Sequence, residues 1–161
     1  MKKLHFILVM FLACVLNIMP VLGQSDSKND KVVADSKTAK AEFLKKDALM
    51  KELFESAYGY VIFPNVGKGG IGVGGAAGNG VVYEKDVMVG MAKLSQVSIG
   101  LQAGGQAYRE IIFFESKNNL ERFKSSQFEF SAQASAVAVT AGASANVKYA
   151  EGVLVFTALK G

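Results

Sequence analysis

Hydrophobic patterning predicts one long helix near the start of the folded region. From Lys37 to about Ala57 the residues are good helix formers, and apolar side chains recur at helical spacing on one face. The apolar positions are Phe43, Leu49, Met50, Leu53, Phe54 and Ala57. Asp35 or Ser36 is placed to cap this helix, and Gly59 is placed to end it. We therefore expect an amphipathic helix that packs its apolar face on the rest of the domain.

Beyond Gly59 the pattern changes from a helical to an extended period. Tyr58–Phe63 is aromatic and β-branched, and Pro64 is expected to end this strand. A turn is predicted at Glu84–Asp86, and a short helix at Ser116–Ser125 with its apolar residues facing inward. The other extended segments are Val81–Tyr83, Val87–Met91, Val97–Gly105, Glu110–Phe114 and Val153–Phe156. Of these, Val97–Phe114 has the most sustained β character and is expected to be central and buried.

The order of elements predicts an α+β fold. We expect an N-terminal amphipathic helix packed on a curved, mostly antiparallel, glycine-rich β-sheet, with one further short helix. Small residues occupy alternate positions in Gly70–Gly75, Ser98–Gly105 and Ala132–Ala145. On a strand such residues share one face, which is tolerated where a sheet curves or another backbone approaches closely.

The first 23 residues have the layout of a secretory signal peptide. Lys2 and Lys3 precede an apolar run that ends at Val21-Leu22-Gly23, which predicts cleavage before Gln24 and export to the periplasm or envelope. A second interpretation is a lipoprotein, because Phe11-Leu12-Ala13-Cys14 resembles a lipobox and Cys14 would then carry the lipid. An uncleaved membrane anchor is disfavoured by Asn17 and Pro20. Residues 24–35 are predicted to be a polar tether, and residues 36–161 the domain.

Loss of the signal peptide removes much of the chemistry available to the chain. His5 and Cys14 are its only histidine and cysteine, so the mature chain of about 138 residues has no thiol or imidazole nucleophile, base or metal ligand. The remaining carboxylates lie mostly at predicted turns and strand ends, as surface acids do. We therefore predict no enzyme activity, no cofactor and no metal.

Positive charge is concentrated in the N-terminal segment. Loss of Lys2 and Lys3 lowers the formal net charge from +4 to +2, and Lys28–Lys51 holds seven lysines against four acids. This excess favours contact with anionic surfaces but is too small to indicate a nucleic-acid-binding protein.

The glycine-rich stretch Asn65–Gly80 raises three chemical hypotheses. It matches the dinucleotide fingerprint at Gly67–Gly72, but a strand rather than a helix is predicted to follow. It is not a Walker loop, because Gly69 follows Lys68 where that loop requires Ser or Thr. It is also not a membrane helix, because the ten residues between Lys68 and Asn79 are too few to cross a bilayer. We expect instead a loop at Asn65–Gly69 running into a glycine-faced strand that turns near Asn79. Lys68 is then either an exposed turn lysine or an anion contact assisted by backbone N–H groups.

Five blocks of sequence, in order and at consistent spacing, resemble the SYLF domain. They are Gly59–Gly75, Gly80–Tyr83, Gln96–Gln102, Glu110–Phe114 and Ala141–Ala145, and the resemblance extends over about Ala41–Gly161. It implies a non-catalytic domain that binds phospholipid, as in bacterial exported proteins and eukaryotic actin-patch regulators. It also implies a further glycine-rich strand pair after Thr157–Gly161, so we expect either that the sequence is truncated or that the sheet lacks the family's closing pair.

Together these observations predict a domain that associates with anionic phospholipid or a membrane surface. The candidate binding residues are Lys45, Lys46, Lys51, Lys68, Gly69 and Gly70. The protein partner is unknown, and actin is not expected because the chain has neither an SH3 nor a FYVE module. The alternative is a structural or interaction protein of the envelope, which self-associates or binds a protein partner through its small-residue strands.

Overall fold

The α+β architecture expected from the sequence is confirmed by a computed structural model, which describes residues 22–71, 73–99, 106–126, 138–140 and 147–160. These residues form three helices and six strands. The helices are α1 (Leu22–Lys46), α2 (Leu49–Ser56) and α3 (Lys117–Ser125). The strands are β1 (Gly59–Ile71), β2 (Val73–Glu84), β3 (Val87–Ile99), β4 (Gln106–Phe114), β5 (Ala138–Thr140) and β6 (Val153–Leu159).

The chain divides into two compact units, Met1–Asp30 and Lys31–Gly161. In the first unit the described residues, 22–30, belong to helix α1. Most of the predicted signal peptide, including Cys14, lies outside the described residues. The boundaries of the signal peptide and the tether therefore stay predictions.

All described strands of the second unit form one sheet in the order β3-β2-β1-β4-β6-β5. Neighbouring strands are antiparallel except β5, which runs parallel to β6. Strand β4 lies between β1 and β6, and Glu110–Phe114 within it are buried. This confirms the prediction of a central buried strand for Glu110–Phe114. Val97–Ile99, from the same predicted segment, instead end β3, the outermost strand on its side of the described sheet.

Alternation along β1 and β4 gives the sheet two apolar faces. On one face Tyr60, Ile62 and Phe113 pack with Phe43 of α1 and Leu53 of α2. On the opposite face the apolar positions that alternate with these pack against α3. That face comprises Val61, Phe63, Ile112, Phe114 and Val155, with Leu120 and Phe123 of α3. Helices therefore cover both faces of the same strands.

The structure does not have the single helix predicted from Lys37 to Ala57. Helix α1 starts before Lys37, and the predicted helix is divided between α1 and α2. It is interrupted after Lys46, where the Asp47 side chain accepts a hydrogen bond of 3.0 Å from the Leu49 backbone N–H. Such local side-chain bonds compete with helix continuation. The break lets Phe43 before it and Met50 after it both lie buried against the sheet.

Helix α1 also begins at Leu22, before the predicted start at Lys37. Residues 24–35 contain neither proline nor glycine, so nothing in the backbone ends the helix there. Asp35 does not cap it, because its carboxylate instead pairs with Lys31 at 3.1 Å and accepts a hydrogen bond from Asn65. Ser36 is buried and shares a hydrogen bond with the Tyr83 hydroxyl.

Pro64 does not end its strand as predicted. Strand β1 continues to Ile71, and its pairing with both β2 and β4 shifts register next to Pro64, between Ile62 and Asn65 on one side and Phe63 and Val66 on the other. A proline has no N–H to donate to a ladder, and a bulge accommodates that missing donor.

The predicted loop at Asn65–Gly69 and the turn near Asn79 are also wrong. Residues 65–71 belong to β1 and pair with β2 up to Ile71 opposite Val73, so the hairpin reverses between these two residues and not near Asn79. Asn79 lies within β2, opposite Asn65 on one side and Lys93 on the other. Glycine disfavours strands, but pairing with both β2 and β4 outweighs that preference at residues 66–68.

Several predictions fall partly outside the described residues. The small-residue segments at 98–105 and 132–145 are described only at residues 98–99 and 138–140.

The helix at Ser116–Ser125 is confirmed, since Ser116 accepts a hydrogen bond from the Asn119 N–H and both of its apolar residues are buried. The last strand and the Glu84–Asp86 turn are confirmed as well.

Glu110 departs from the expectation that the acids of this chain are solvated. Its side chain lies in central strand β4 with only 2% of its surface exposed, and its Oε1 has no hydrogen-bond partner among the described residues. Burial raises its pKa to about 7. Directly opposite on β1 is Phe63, which offers no hydrogen bond.

We predict that Gly80→Ala destabilises the domain by about 1–3 kcal/mol, because the added methyl group overpacks the sheet. A Cβ at Gly80 would lie 2.6 Å from a ring carbon of Phe63 and 2.7 Å from the Ile62 carbonyl oxygen. Urea unfolding measures the loss. Gly67→Ala is the matched control, since nothing lies within 4 Å of a Cβ there. Equal losses in the two variants would contradict the packing explanation.

We predict that Glu110 makes the domain less stable as pH rises. The unfolded carboxyl has a pKa of 4.5 and the folded one about 7, so the folded state holds its proton more tightly and loses stability between these values. The loss amounts to about 3 kcal/mol, and it levels off above pH 7. Urea unfolding from pH 4 to 8 should show this slope in the native protein and not in Glu110→Gln. Glu52→Gln, at an exposed position, should keep it, and an unchanged slope in Glu110→Gln would disprove the assignment.

Candidate functional site

A cleft of about 450 Å³ opens between the two N-terminal helices and the turn that joins β2 to β3. We call it the lysine cleft. Its lining residues are Lys40, Leu44, Lys51, Phe54, Glu55, Ala57, Lys85 and Asp86. The cleft therefore combines three ammonium groups and two carboxylates with an apolar floor.

The β2–β3 turn contributes Lys85 and Asp86 to the rim. Both residues have left-handed backbones, with φ of 48° and 67° respectively. Tight hairpin turns of this kind favour glycine and asparagine, because a side chain is strained in this region. The chain nevertheless places two charged residues there, and both side chains line the cleft.

Lys40 lies at the centre of the polar groups in the cleft. Its Nζ is 2.5 Å from Asp86 Oδ1 and donates a hydrogen bond of 2.9 Å to the Tyr60 hydroxyl. The same ammonium group lies 4.5 Å from the centre of the Phe54 ring and 5.0 Å from that of Tyr60, within cation–π range. Tyr60 in turn donates its hydroxyl hydrogen to Asp86.

These contacts shift the ionisation of both partners of Lys40. The hydrogen bond from Lys40 is the main reason that the pKa of Asp86 lies below its usual value, and the Tyr60 bond lowers it further. Burial raises the pKa of Tyr60, and its hydrogen bond to Asp86 adds to the rise. Asp86 is therefore a carboxylate and Tyr60 a neutral donor at physiological pH.

Aromatic rings hold the floor of the cleft in place. The Tyr60 ring stacks on Tyr83 with centroids 4.9 Å apart, and Phe54 meets Tyr60 edge-on at the same distance. Phe54 also packs edge-on against Phe113 at 5.0 Å. Tyr60 is only 1% exposed, and the rings packed around it hold its hydroxyl in one position.

Exposed apolar side chains lie directly after the turn. Val87, Met88 and Val89 at the start of β3 are 64%, 45% and 45% exposed, and Leu44 on the cleft wall is 39% exposed. Strand β3 is the outermost strand on this side of the described sheet. We call these three consecutive residues the apolar tip (Val87–Val89). Met88 pairs with Tyr83, whose ring packs on the same face of the sheet as Tyr60 and the lysine cleft.

The chemistry of this site suits an anion more than a metal or a reacting substrate. Three lysines outnumber the two acids, and lysine ammonium groups bind phosphate and carboxylate oxygens. Within the described ranges no group of three His, Cys, Asp or Glu side chains could hold a metal ion. Among the helices that the structure describes, none is both long and apolar enough to span a bilayer.

The structure separates the binding residues predicted from the sequence. Lys51 lines the cleft, whereas Lys45 and Lys46 are exposed in the last turn of α1 and are not part of the lining. Lys68 is half-buried within β1, opposite Ala76 and Gln106, about 25 Å along the strand from Tyr60. Gly69 and Gly70 pair with Gly75 and Gly74 in the same ladder.

Sequence reasoning missed Lys40, Lys85 and Asp86. Lys40 lies three residues before Phe43, so it is a lysine beside the apolar face of a predicted helix, and that position was a usable signal. A second signal was a hairpin turn made of Lys85 and Asp86 without glycine or asparagine. Neither signal shows that the two segments meet, because 45 residues separate Lys40 from Lys85 along the chain.

Comparison with known proteins finds a family match in the second half of the chain. Residues 95–160 match the family model Ysc84, described as "Las17-binding protein actin regulator". No curated protein matches the chain. The matched range begins after all the residues of the lysine cleft, so the cleft is assigned from its own geometry. The match identifies a Ysc84 (SYLF) domain model over residues 95–160, and that family is linked to lipid and actin binding.

Proposed function

We propose that this protein is a non-enzymatic domain that binds anionic phospholipid at a membrane surface through the lysine cleft and the apolar tip. One observation carries the proposal: three lysines lining a cleft lie next to exposed Val87, Met88 and Val89. The family's link to lipid binding supports it.

The pairing of charge with exposed apolar groups matches what a bilayer surface offers. Phosphate groups lie at the headgroup level, where each lysine near an anionic surface contributes about 1 kcal/mol. Apolar side chains that reach below that level are removed from water at about 25 cal/mol per Å². Lys85 adjoins the apolar tip in sequence, so one hairpin supplies both kinds of contact.

The proposal differs from the binding surface predicted from the sequence. That surface combined the helix lysines with Lys68, but only Lys51 of those residues lines the cleft. Lys45 and Lys46 add positive charge at the end of α1, whereas Lys68 lies too far along β1 to share a headgroup with Lys51. The cleft therefore replaces the glycine-rich strand as the proposed centre of binding.

Export is proposed on sequence grounds. Lys2 and Lys3, followed by the apolar run to Leu22, support a signal peptide, and Cys14 supports a lipid-anchored form as the second interpretation. Mass spectrometry of the N-terminus of the isolated protein distinguishes Gln24 as first residue from a diacylated Cys14. Either form would place the lysine cleft outside the cytoplasm, near a membrane.

Self-association through small-residue strands is the competing function. Strands β1 and β2, which carry most of the described glycines, each already pair on both sides within the sheet. Their backbone groups therefore have partners inside the domain and are not available to a second copy. Concentration-dependent assembly in the absence of lipid would favour this function over membrane binding.

We predict that reversing two cleft charges, in Lys51→Glu with Lys85→Glu, lowers binding to vesicles of phosphatidylglycerol and phosphatidylcholine at least about tenfold, because two favourable contacts become repulsive. Co-sedimentation at low and high salt measures it, and native binding should itself weaken as salt rises. The matched control is Lys117→Glu with Lys124→Glu. It changes the same charge on α3, whose apolar residues pack on the opposite face of the sheet.

Two results would overturn the proposed function. One is equal binding of the native protein to anionic and neutral vesicles. The other is an equal loss in the cleft variant and the α3 variant, which would show that only net charge matters. Thermal unfolding of both variants checks that each remains folded.

We predict that Met88→Ser weakens binding severalfold even at high salt, because the contribution of the apolar tip is not screened by ions. Leu159→Ser is the control, since Leu159 is an exposed apolar residue of β6 with no place in the cleft. Vesicle co-sedimentation at high salt compares the two. If Leu159→Ser reduces binding as much as Met88→Ser does, the apolar tip is not the inserted segment.

A further inference from the structure

Asp86 occupies the position in the lysine cleft where an external anion would be expected. Its carboxylate oxygen lies 2.5 Å from Lys40 Nζ and accepts the Tyr60 hydroxyl hydrogen. A cationic and a neutral donor thus converge on one carboxylate oxygen. This is the set of contacts that a phosphate oxygen makes in protein sites.

The backbone of the turn is a second, independent observation. Lys85 and Asp86 both adopt left-handed conformations, which aspartate tolerates and which cost lysine about 1 kcal/mol relative to glycine. Strain of this kind persists where side chains serve a purpose that a glycine could not. Both residues line the same cleft, so the strained backbone lies beside the proposed anion position.

Access to the pair is open from the solvent. The side chain of Asp86 is 65% exposed and that of Lys40 is 27% exposed. An exposed ion pair contributes little to stability, so a competing anion meets a small barrier to exchange. Tyr60, by contrast, is held in the core and would keep its hydroxyl in place when the carboxylate moves away.

We propose that Asp86 is an intramolecular competitor for the anion site of the lysine cleft, and that a phosphoryl group displaces it to contact Lys40 and the Tyr60 hydroxyl. This inference rests on the proposed function and names the ligand chemistry and the restraint on that same site. Lys51 and Lys85 at the rim supply the remaining positive charge. Asp86 sets a threshold, since an anion replaces the carboxylate only if it binds Lys40 and the Tyr60 hydroxyl more strongly than Asp86 does.

Removing the charge of Asp86 is the direct test. Asp86→Asn keeps the side-chain shape, the acceptor for Tyr60 and the tolerance of asparagine for a left-handed backbone. It should tighten binding to phosphatidylglycerol vesicles roughly three- to tenfold, because Lys40 is released to the ligand. Titration with inorganic phosphate, followed by amide NMR shifts of the cleft residues, separates recognition of the phosphoryl group itself from recognition of a membrane.

Two further variants make the test specific. Glu84→Gln removes one negative charge two residues away, on a side chain bonded to Tyr58, whose contacts belong to the other face of the sheet. It should raise affinity much less than Asp86→Asn does. Lys40→Gln should lower affinity, and in that background Asp86→Asn should give no gain, since the group that Asp86 restrains is gone.

The outcomes separate the failure of this inference from that of the proposed function. If the native protein binds anionic vesicles and Asp86→Asn binds no more tightly than Glu84→Gln, the competitor role is wrong and membrane binding stands. A gain that survives Lys40→Gln also disproves it. If no form binds anionic vesicles, the proposed function fails. Shifts with phosphate confined to the cleft amides would then support an anion site without a membrane.

Discussion

The buried ring of Tyr60 connects the hydrophobic core to the lysine cleft. It packs between Phe54, Tyr83 and Phe113, which belong to a helix and two strands, and its hydroxyl reaches Lys40 and Asp86 at the surface. A polar tip on a buried aromatic ring must find partners, because an unpaired buried hydroxyl is costly. The Tyr60 side chain, which belongs to β1, therefore contacts both Lys40 of helix α1 and Asp86 of the β2–β3 turn.

Local rules are violated where the lysine cleft is built. The turn carries Lys85 and Asp86 in place of glycine or asparagine, and the edge strand begins with three exposed apolar residues. Each feature costs stability or solubility in isolation. In α3, by contrast, pattern and packing agree, since the cap and both apolar residues take their expected places. Pro64 within β1 and buried Glu110 in β4 also depart from local rules, so such conflicts are not confined to the lysine cleft.

The candidate site was only partly predictable. Lys51 was identified from the excess of lysines in the N-terminal segment, because charge distribution is visible along a sequence. Lys68 was predicted to lie in a loop, because a lysine between glycines suggests one, whereas cross-strand pairing with Ala76 and Gln106 makes it part of a ladder. Glu110 looked like an ordinary acid at a strand end, yet neighbours on both sides bury it. In each case the deciding partner is distant in sequence.

Taken alone, the sequence determined the α+β class, the capped helix α3, the central strand and the last strand, because periodicity and capping are local properties. The resemblance to the SYLF family was also visible in the sequence, as five blocks in the family's order and spacing. Tertiary structure decided where helix α1 breaks, that β1 passes through Pro64 with a bulge, and that Lys40 meets Asp86. These outcomes depend on which segments become neighbours, and burial and hydrogen bonding between distant residues outweigh local preference there.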